Sequence, residues 1–144
     1  MAKYFTIYEF TKSDTAKRLG IENNPNEQET ENLIELMRFM DDLRGAWTEY
    51  CKEYELGTGA IRINSGFRCE ELNNAVGGSK TSAHRVGYAC DMYPCNGRLS
   101  YFQSFLLSYL KDKRFDQMIL YPTFVHIGLK NQRGEQRKQI FSKE

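Results

Sequence analysis

The longest periodic pattern of the chain predicts an amphipathic helix after a polar turn at residues 23–29. Apolar side chains recur there at spacings of three and four residues, which places them on one helix face. We expect a helix of about 25 residues that ends near Gly57. Its apolar stripe is typical of a face packed on the core. The stripe consists of Leu33, Leu36, Met37, Met40, Leu43, Trp47 and Cys51.

Three shorter patterns also predict helices. Ser13 or Asp14 can cap a short helix that Gly20 ends, since serine and aspartate are preferred caps and glycine a preferred terminator. Residues 68–75 fit a short helix, and residues 99–110 fit a helix by length and spacing.

Segments with period-two alternation or short apolar runs predict strands, mainly in the second half of the chain. Helices in the first half and strands in the second predict an α+β domain with a small, largely antiparallel sheet and helices packed on it. The predicted strands are 60–64, 88–93, 116–121, 124–129 and 138–141, the third and fourth forming a hairpin across residues 121–123.

Length and hydropathy limit the class of protein. A chain of 144 residues fits one domain over residues 1–144 and is long enough to bury its own core. With 40% hydrophobic and 13% aromatic residues, it is too apolar for a disordered chain. The mean hydropathy is −0.64, and no run of 18 apolar residues predicts a transmembrane helix. We expect a monomer without stable membrane association.

The charge is nearly balanced. Twenty Lys and Arg residues face 19 Asp and Glu, and the pI is near 7.6. This balance argues against the strongly basic face that is typical of nucleic-acid-binding proteins. The segment 130–143 is nevertheless basic, with five Lys and Arg residues. It could attract an acidic polymer, or it could be a solvated surface.

The N-terminus and the cysteines indicate the compartment. Residues 1–10 carry one lysine and lack both the apolar region and the cleavage site of a secretory signal, so we expect cytoplasmic localisation. Cys90 and Cys95 are five apart, which is not a CxxC spacing. Reduced thiols are therefore expected at all four cysteines, with a disulfide formed after release from the cell as the alternative.

The candidate chemistry uses both histidines of the chain. His84 precedes a glycine-containing turn, Asp91 lies on the predicted strand that follows, and His126 lies on another strand. Two imidazoles and a carboxylate are a donor set that a catalytic zinc site uses, beside an open position. The spacing alone is a weak signal, because a histidine in a strand is more often a core or surface residue. A structural domain without metal therefore remains an alternative on spacing alone.

Several segments around these residues carry motifs that occur together in one enzyme family. They read FTIYEFTKSDTA (5–16), RINSGFR (62–68), LNNAVGGS (72–79), SAHRVGYACD (82–91) and DQMI (116–119), followed by the aromatic-Val-His of residues 124–126. They resemble the SGxR, LNxxVGGS, SxHxxGxAxD and DQLI motifs of the zinc D-Ala-D-Ala carboxypeptidase and L-alanyl-D-glutamate endopeptidase family, in its phage and gut-bacterial type. The resemblance covers nearly the entire chain and implies the fold shared with the hedgehog signalling domain.

The resemblance implies roles for individual residues. His84, Asp91 and His126 correspond to the ligands of Zn²⁺. Arg68 corresponds to the SGxR arginine, which is expected to contact the scissile carbonyl oxygen, because a guanidinium stabilises a developing oxyanion. A surface ion pair is the alternative for Arg68. Ser82 matches the motif serine, which could bind substrate or cap the turn.

The general base is where this chain departs from the family. The base is commonly an acidic residue or a histidine shortly before the last zinc ligand, but Thr123 stands three residues before His126. Tyr121 occupies another position that is often acidic. Its phenol could act as an electrophile, but with a pKa near 10 it is a poor base, and we expect Tyr121 to contact substrate. Asp116 is the nearest carboxylate and the catalytic candidate. Hairpin pairing sets it opposite residues 128–129, about 6–7 Å from His126. That is too far for a direct contact unless the register slips or a water bridges the two, so the general base is unassigned.

The resemblance implies zinc-dependent hydrolysis of a peptide bond in peptidoglycan stem peptides. The bond is either D-Ala-D-Ala or L-Ala-D-Glu, and the sequence does not distinguish the two. The small size suits an endolysin-like phage enzyme that stays in the cytoplasm until it is released to the cell wall. The alternative is a catalytically weak or inactive module that keeps the zinc site and binds wall peptide, which Thr123 supports.

Overall fold

The computed structural model describes residues 3–144. Met1 and Ala2, which belong to the segment 1–10 considered for a secretory signal, lie outside the described residues. The helices of the described residues are α1 (Ile7–Thr11), α2 (Asp14–Leu19), α3 (Glu27–Glu53), α4 (Glu70–Ala75) and α5 (Leu99–Tyr109), with 3-10 helices at Ala83–Val86 and Leu110–Asp112. The strands are β1 (Ile61–Ser65), β2 (Ala89–Pro94), β3 (Gln117–Leu120), β4 (Val125–Gly128) and β5 (Gln139–Ser142). The predicted helices and strands and the α+β class are confirmed.

Helix α3 is the longest helix among residues 3–144, with 27 residues. A capping box begins it: the Asn26 side chain accepts from the Glu29 N–H at 2.8 Å, and the Glu29 carboxylate accepts from the Asn26 N–H at 2.9 Å. The helix ends at Glu53, four residues before Gly57. The predicted apolar stripe is buried, and Trp47 within it is fully enclosed.

Helix α1 precedes the predicted α2 and was not expected from the sequence. The Glu9 carboxylate accepts from the Thr6 N–H at 3.0 Å, which satisfies a donor at the start of α1. Phe10 is fully buried on this helix and packs edge-on against Phe5. Its burial ties the N-terminal segment to the core, since both rings belong to the same apolar cluster as α3. In α2, Ser13 is the cap, as predicted.

The strands of residues 3–144 form a five-stranded mixed sheet in the order β1-β2-β4-β3-β5. The first three pairings are antiparallel, whereas β5 runs parallel to β3. The expectation of an antiparallel sheet is therefore wrong for β5. The connection at residues 129–138 carries the chain from β4 past β3 to its far side, so β5 takes the direction of β3. The relation to the hedgehog fold stays a prediction.

The two faces of the sheet have different roles. Alternate residues of a strand point to opposite faces, and one face packs on the helices. Met92, Val125 and Ile127 are fully buried on that face, in one cluster with Trp47 and the rings of α5. The residues between them point to the other face, where the candidate site lies.

Two further expectations concern thiols and membranes. The cysteines are free thiols in the structure, at Cys51, Cys69, Cys90 and Cys95. In the part of the chain that the structure describes, no helix combines the length and apolarity needed to span a bilayer.

Candidate metal centre

Strand register brings the predicted ligands together. Asp91 on β2 is the direct cross-strand partner of His126 on β4, and their Oδ1 and Nδ1 atoms are 2.9 Å apart. His84 comes from the 3-10 helix that precedes β2, and its Nε2 lies 3.4 Å from Asp91 Oδ1. Each of these residues offers a ligand atom, and the ligand atoms lie within 4.8 Å of one another. The predicted convergence of His84, Asp91 and His126 is confirmed.

The His84 ring is oriented by the backbone around it. Ser82 Oγ accepts from the His84 N–H at 3.2 Å, and Gly87 ends the turn with a left-handed φ of 87°. His84 Nδ1 lies 2.7 Å from the carbonyl oxygen of Gly66. Because a carbonyl only accepts, Nδ1 carries the hydrogen, which leaves the lone pair on Nε2 for a metal.

Burial and hydrogen bonding set the protonation of the ligands. Burial lowers the pKa of His84 below its ordinary value, although Asp91 acts in the opposite direction. Burial acts to raise the pKa of Asp91, but its hydrogen bonds and charge interactions with His126 and His84 hold it well below the usual range. A neutral imidazole and an ionised carboxylate are the forms that bind a metal.

The donor set fits zinc. Two imidazole nitrogens and one carboxylate oxygen are ligands that Zn²⁺ takes in catalytic sites, where a further position stays open. Among residues 3–144, this is the one group of three His, Cys, Asp or Glu side chains with convergent ligand atoms. The group borders a cleft of about 620 Å³, which leaves room for a substrate beside the metal.

The other predicted site residues reach the same cleft. Arg68, Ser82, Asp116 and Tyr121 all line it together with the three ligands. Arg68 lies after β1, and Ser82 lies in the turn before β2. Asp116 and Tyr121 lie at the two ends of β3. The structure therefore brings together every residue that the sequence predicts for the site, while the role of each remains a prediction.

Arg68 lies beside the metal centre. Its Nη2 is 3.5 Å from Asp91 Oδ2, and its Nε donates to Ser65 Oγ at 3.3 Å. Nη1 is 3.5 Å from Asn73 Oδ1. Burial lowers the pKa of the guanidinium, and Asp91 opposes this shift, but an arginine stays charged at neutral pH. A fixed cation next to the ligands suits the predicted contact with an oxyanion.

Ser82 and Tyr121 both line the cleft. The Ser82 hydroxyl caps the turn that carries His84, which is one of the two roles considered for it. Tyr121 stacks on Phe124, with ring centroids 4.3 Å apart, across the turn between β3 and β4. Both aromatic rings border the cleft, so they offer an apolar surface to a substrate.

Asp116 is held by the sheet and by an arginine that the sequence did not single out. Its N–H donates to the Gly128 carbonyl at 2.9 Å, as the predicted pairing requires. Asp116 is 2% exposed, and its oxygens accept from Arg137 Nε and Nη2 at 2.8 and 2.9 Å. Burial acts to raise the pKa of Asp116, but the hydrogen bonds from Arg137 lower it. A carboxylate paired in this way is a weak base.

Two cations of the cleft were missed as individual residues. Arg137 and Lys143 line the cleft, as Asp116 and Tyr121 do. The signal for them was the basic segment 130–143, which the sequence assigned to a solvated face or an acidic polymer without naming a residue. The parallel position of β5 beside β3 brings this segment to the cleft.

The comparison with known families agrees with this site. The family model described as peptidase M15 matches residues 3–128, which include the three ligands and Arg68. Peptidases of this family are zinc-dependent, and the His84, Asp91 and His126 group is positioned to bind the metal. No curated protein sequence matches the chain.

Proposed function

We propose that this chain, which belongs to the peptidase M15 family of zinc metallopeptidases, hydrolyses a peptide bond next to a D-amino acid in peptidoglycan stem peptides. The observation that carries the proposal is the convergence of His84, Asp91 and His126 at a cleft that Arg68 also lines. The bond is D-Ala-D-Ala for a carboxypeptidase or L-Ala-D-Glu for an endopeptidase. In this proposal the chain stays in the cytoplasm until it is released to the cell wall.

The side chains of the site prepare it for this chemistry. When bound, zinc supplies a Lewis acid that polarises a carbonyl and lowers the pKa of water. The Gly66 carbonyl keeps the His84 ring turned with Nε2 toward the other ligands. Arg68, tied to Ser65, stays next to Asp91 and stabilises negative charge that develops on the carbonyl oxygen.

Proton transfer needs a general base within reach of the reacting groups. The carboxylates that line the cleft, among residues 3–144, are Asp91 and Asp116. Asp91 is a metal ligand, so Asp116 stays the candidate for accepting a proton. Its pairing with Arg137 opposes that role, because protonation would give up a charge-assisted hydrogen bond.

The alternative function is a non-catalytic module that binds wall peptide and keeps the zinc site. Two observations favour it: Thr123 stands where an acidic residue is common, and Asp116 is already paired with Arg137. Both observations argue against a free general base in the site, and neither affects the cleft as a place for a peptide to bind. The two functions therefore differ in hydrolysis and agree in peptide binding.

Hydrolysis of purified peptidoglycan and of synthetic stem peptides by the zinc-loaded protein tests the proposal. We expect released D-Ala or new amino groups, and we expect chelator, His126→Ala and Asp91→Asn each to abolish them. Asp112→Asn is the matched control, since Asp112 is exposed after α5 and does not line the cleft.

The product also identifies the bond. Free D-Ala indicates a carboxypeptidase, whereas a new amino group on D-Glu indicates an endopeptidase. If the folded, zinc-loaded protein releases neither product, the enzyme proposal fails. Peptide binding without hydrolysis would then support the non-catalytic module.

A further inference from the structure

A guanidinium outside the metal centre is fixed at the wall of the cleft. Arg137 donates through Nε and Nη2 to the two oxygens of Asp116, and its backbone N–H donates to Oδ1 at 3.1 Å. The acid of this pair is buried, whereas the Arg137 side chain is 44% exposed. The buried carboxylate is therefore the anchor, and the arginine is the partner that faces the cleft and solvent.

The anchor is rigid because Asp116 is held between strands. Its N–H donates to the Gly128 carbonyl at the end of β4, and its carbonyl accepts from the Gln139 N–H of β5 at 2.9 Å. Arg137 lies two residues before Gln139, so its backbone is fixed by the same pairing. A donor that is fixed before a ligand arrives loses little conformational freedom on binding.

Arg137 has donors to spare. A guanidinium carries five N–H groups in a planar fork, and two of them point to Asp116. The remaining side-chain N–H groups of Arg137 donate to no acceptor within residues 3–144. These donors are available to a ligand in the cleft, which Arg137 lines.

The charges around the cleft favour an anion. Its lining cations are Arg68, Arg137 and Lys143, and its lining carboxylates are Asp91 and Asp116. Asp116 is balanced by Arg137, and Asp91 lies beside Arg68 and the metal position. Lys143 has no salt bridge within the described residues 3–144. A zinc ion would add further positive charge, and a cleft with an excess of positive charge attracts anions.

We propose that Arg137 is a specificity-determining residue, whose guanidinium, positioned by Asp116, binds a carboxylate of the substrate. This inference rests on the proposed function and names its substrate class as an acidic peptide. Guanidinium and carboxylate match in geometry and form strong charge-assisted hydrogen bonds. A stem peptide offers two candidate carboxylates, that of its C-terminus and that of its D-glutamyl residue.

A purely structural Arg137 would behave differently. In that role the arginine only holds the start of β5 against β3 through Asp116. Its removal would change the free energy of unfolding but not the way peptide binding depends on the charge of the peptide. The distinguishing observation is therefore the response to a peptide whose carboxylate has been replaced by a neutral amide of the same shape.

Calorimetric titration of three stem pentapeptides provides the test, with the zinc-loaded protein and again with chelator, which prevents hydrolysis. One peptide is unmodified, one has an amidated C-terminus, and one has its D-glutamyl carboxylate amidated. We expect one amidated peptide to bind about 10- to 100-fold more weakly, the range for a lost hydrogen bond to a charged group. That peptide identifies the carboxylate that Arg137 binds.

Variants assign the effect to Arg137. Arg137→Gln is expected to bind the unmodified peptide more weakly than the wild-type protein does, by the same factor. It is expected to bind this peptide no better than the amidated one. Arg38→Gln is the matched control, because Arg38 is exposed on α3 and does not line the cleft. Arg137→Gln leaves Asp116 buried without its partner, so the double variant Asp116→Asn with Arg137→Gln guards against misfolding and is expected to show the same loss of discrimination.

Each outcome bears on the inference separately from the proposed function. Equal binding of all three peptides to the wild-type protein, or no binding of any, overturns the inference, as does full discrimination by folded Arg137→Gln or by the double variant. Hydrolysis without discrimination leaves the proposed function standing and removes only the role of Arg137. Discrimination without hydrolysis supports the role of Arg137 and removes the enzyme proposal.

Discussion

At the scale of single residues, the metal centre depends on neighbours that are not ligands. His84 is oriented by a carbonyl on the loop after β1, and Asp91 is flanked by Arg68. The ligands could be predicted from motif and residue type. The contact from Gly66 and the pairing of Asp116 with Arg137 could not, because both join segments that are distant in sequence and depend on strand register.

A single methyl group added at Gly66 should affect metal binding. A Cβ built there would collide with the Phe10 backbone and lie 2.7 Å from its Cα. Gly66→Ala is expected to destabilise the fold by about 1–3 kcal/mol and, by moving the carbonyl that orients His84, to weaken zinc binding about 10- to 100-fold. Denaturant unfolding and zinc competition measure the two effects. Unchanged zinc affinity in the destabilised variant would contradict the role of the carbonyl.

The pair of Asp116 and Arg137 should make stability depend on pH. The folded-state pKa of Asp116 is lowered, so its stabilising contribution is complete above the unfolded pKa of about 3.9 and is lost as the pH falls through the folded pKa. Asp116→Asn is expected to be less stable than wild type by about 1–3 kcal/mol at pH 7, with the difference shrinking below about pH 4. Thermal unfolding between pH 3 and pH 7 measures this, and a difference that does not change with pH would contradict it.

At the scale of elements, local patterns were sufficient for α3 but not for β5. The capping box at Asn26 and the apolar stripe are both local in sequence, and both predict the observed helix. The direction of β5 depends instead on how residues 129–138 cross β3, which periodicity does not encode. Helix α1 was missed for a similar reason, since its five residues are too few to display a helical period.

Helix α3 contains a glycine that we expect to be replaceable. A Cβ at Gly45 would meet only the ring of Tyr4, with Cε2 4.0 Å away, which is an ordinary contact. Because glycine is unfavourable inside a helix, Gly45→Ala is expected to raise the free energy of unfolding by about 0.5–1 kcal/mol. Denaturant unfolding measures this change, and the variant also serves as the matched control for Gly66→Ala. A loss of stability would indicate that Tyr4 leaves no space for the methyl group.

At the scale of the whole molecule, the fold and the metal centre are coupled through the sheet. The ligands come from β2, β4 and the turn that leads into β2, so a metal held by His84, Asp91 and His126 joins three segments. The α+β class, the strand segments and the family could be predicted from sequence. The shape of the cleft could not be predicted, because it depends on the edge of the sheet where β5 pairs with β3.

Metal removal should lower the stability of the whole chain. A ligand that binds only the folded state stabilises it by about 4 kcal/mol at a thousandfold excess over its Kd. We expect chelator to lower the thermal midpoint of the zinc-loaded protein and to have no effect on Asp91→Asn, which lacks a ligand. An unchanged midpoint for the wild type, together with no zinc by elemental analysis, would favour a structural domain without metal.

The edge position of β5 has a consequence for local unfolding. β5 is hydrogen-bonded to β3 alone among the described strands, and three of its four residues are exposed, so its amide hydrogens should exchange with solvent before those of the central strands. Such an opening releases the segment that carries Arg137 while β2 and β4 keep the metal ligands in place. The recognition of substrate charge that we propose and the binding of metal would then reside in parts of the chain that open at different rates.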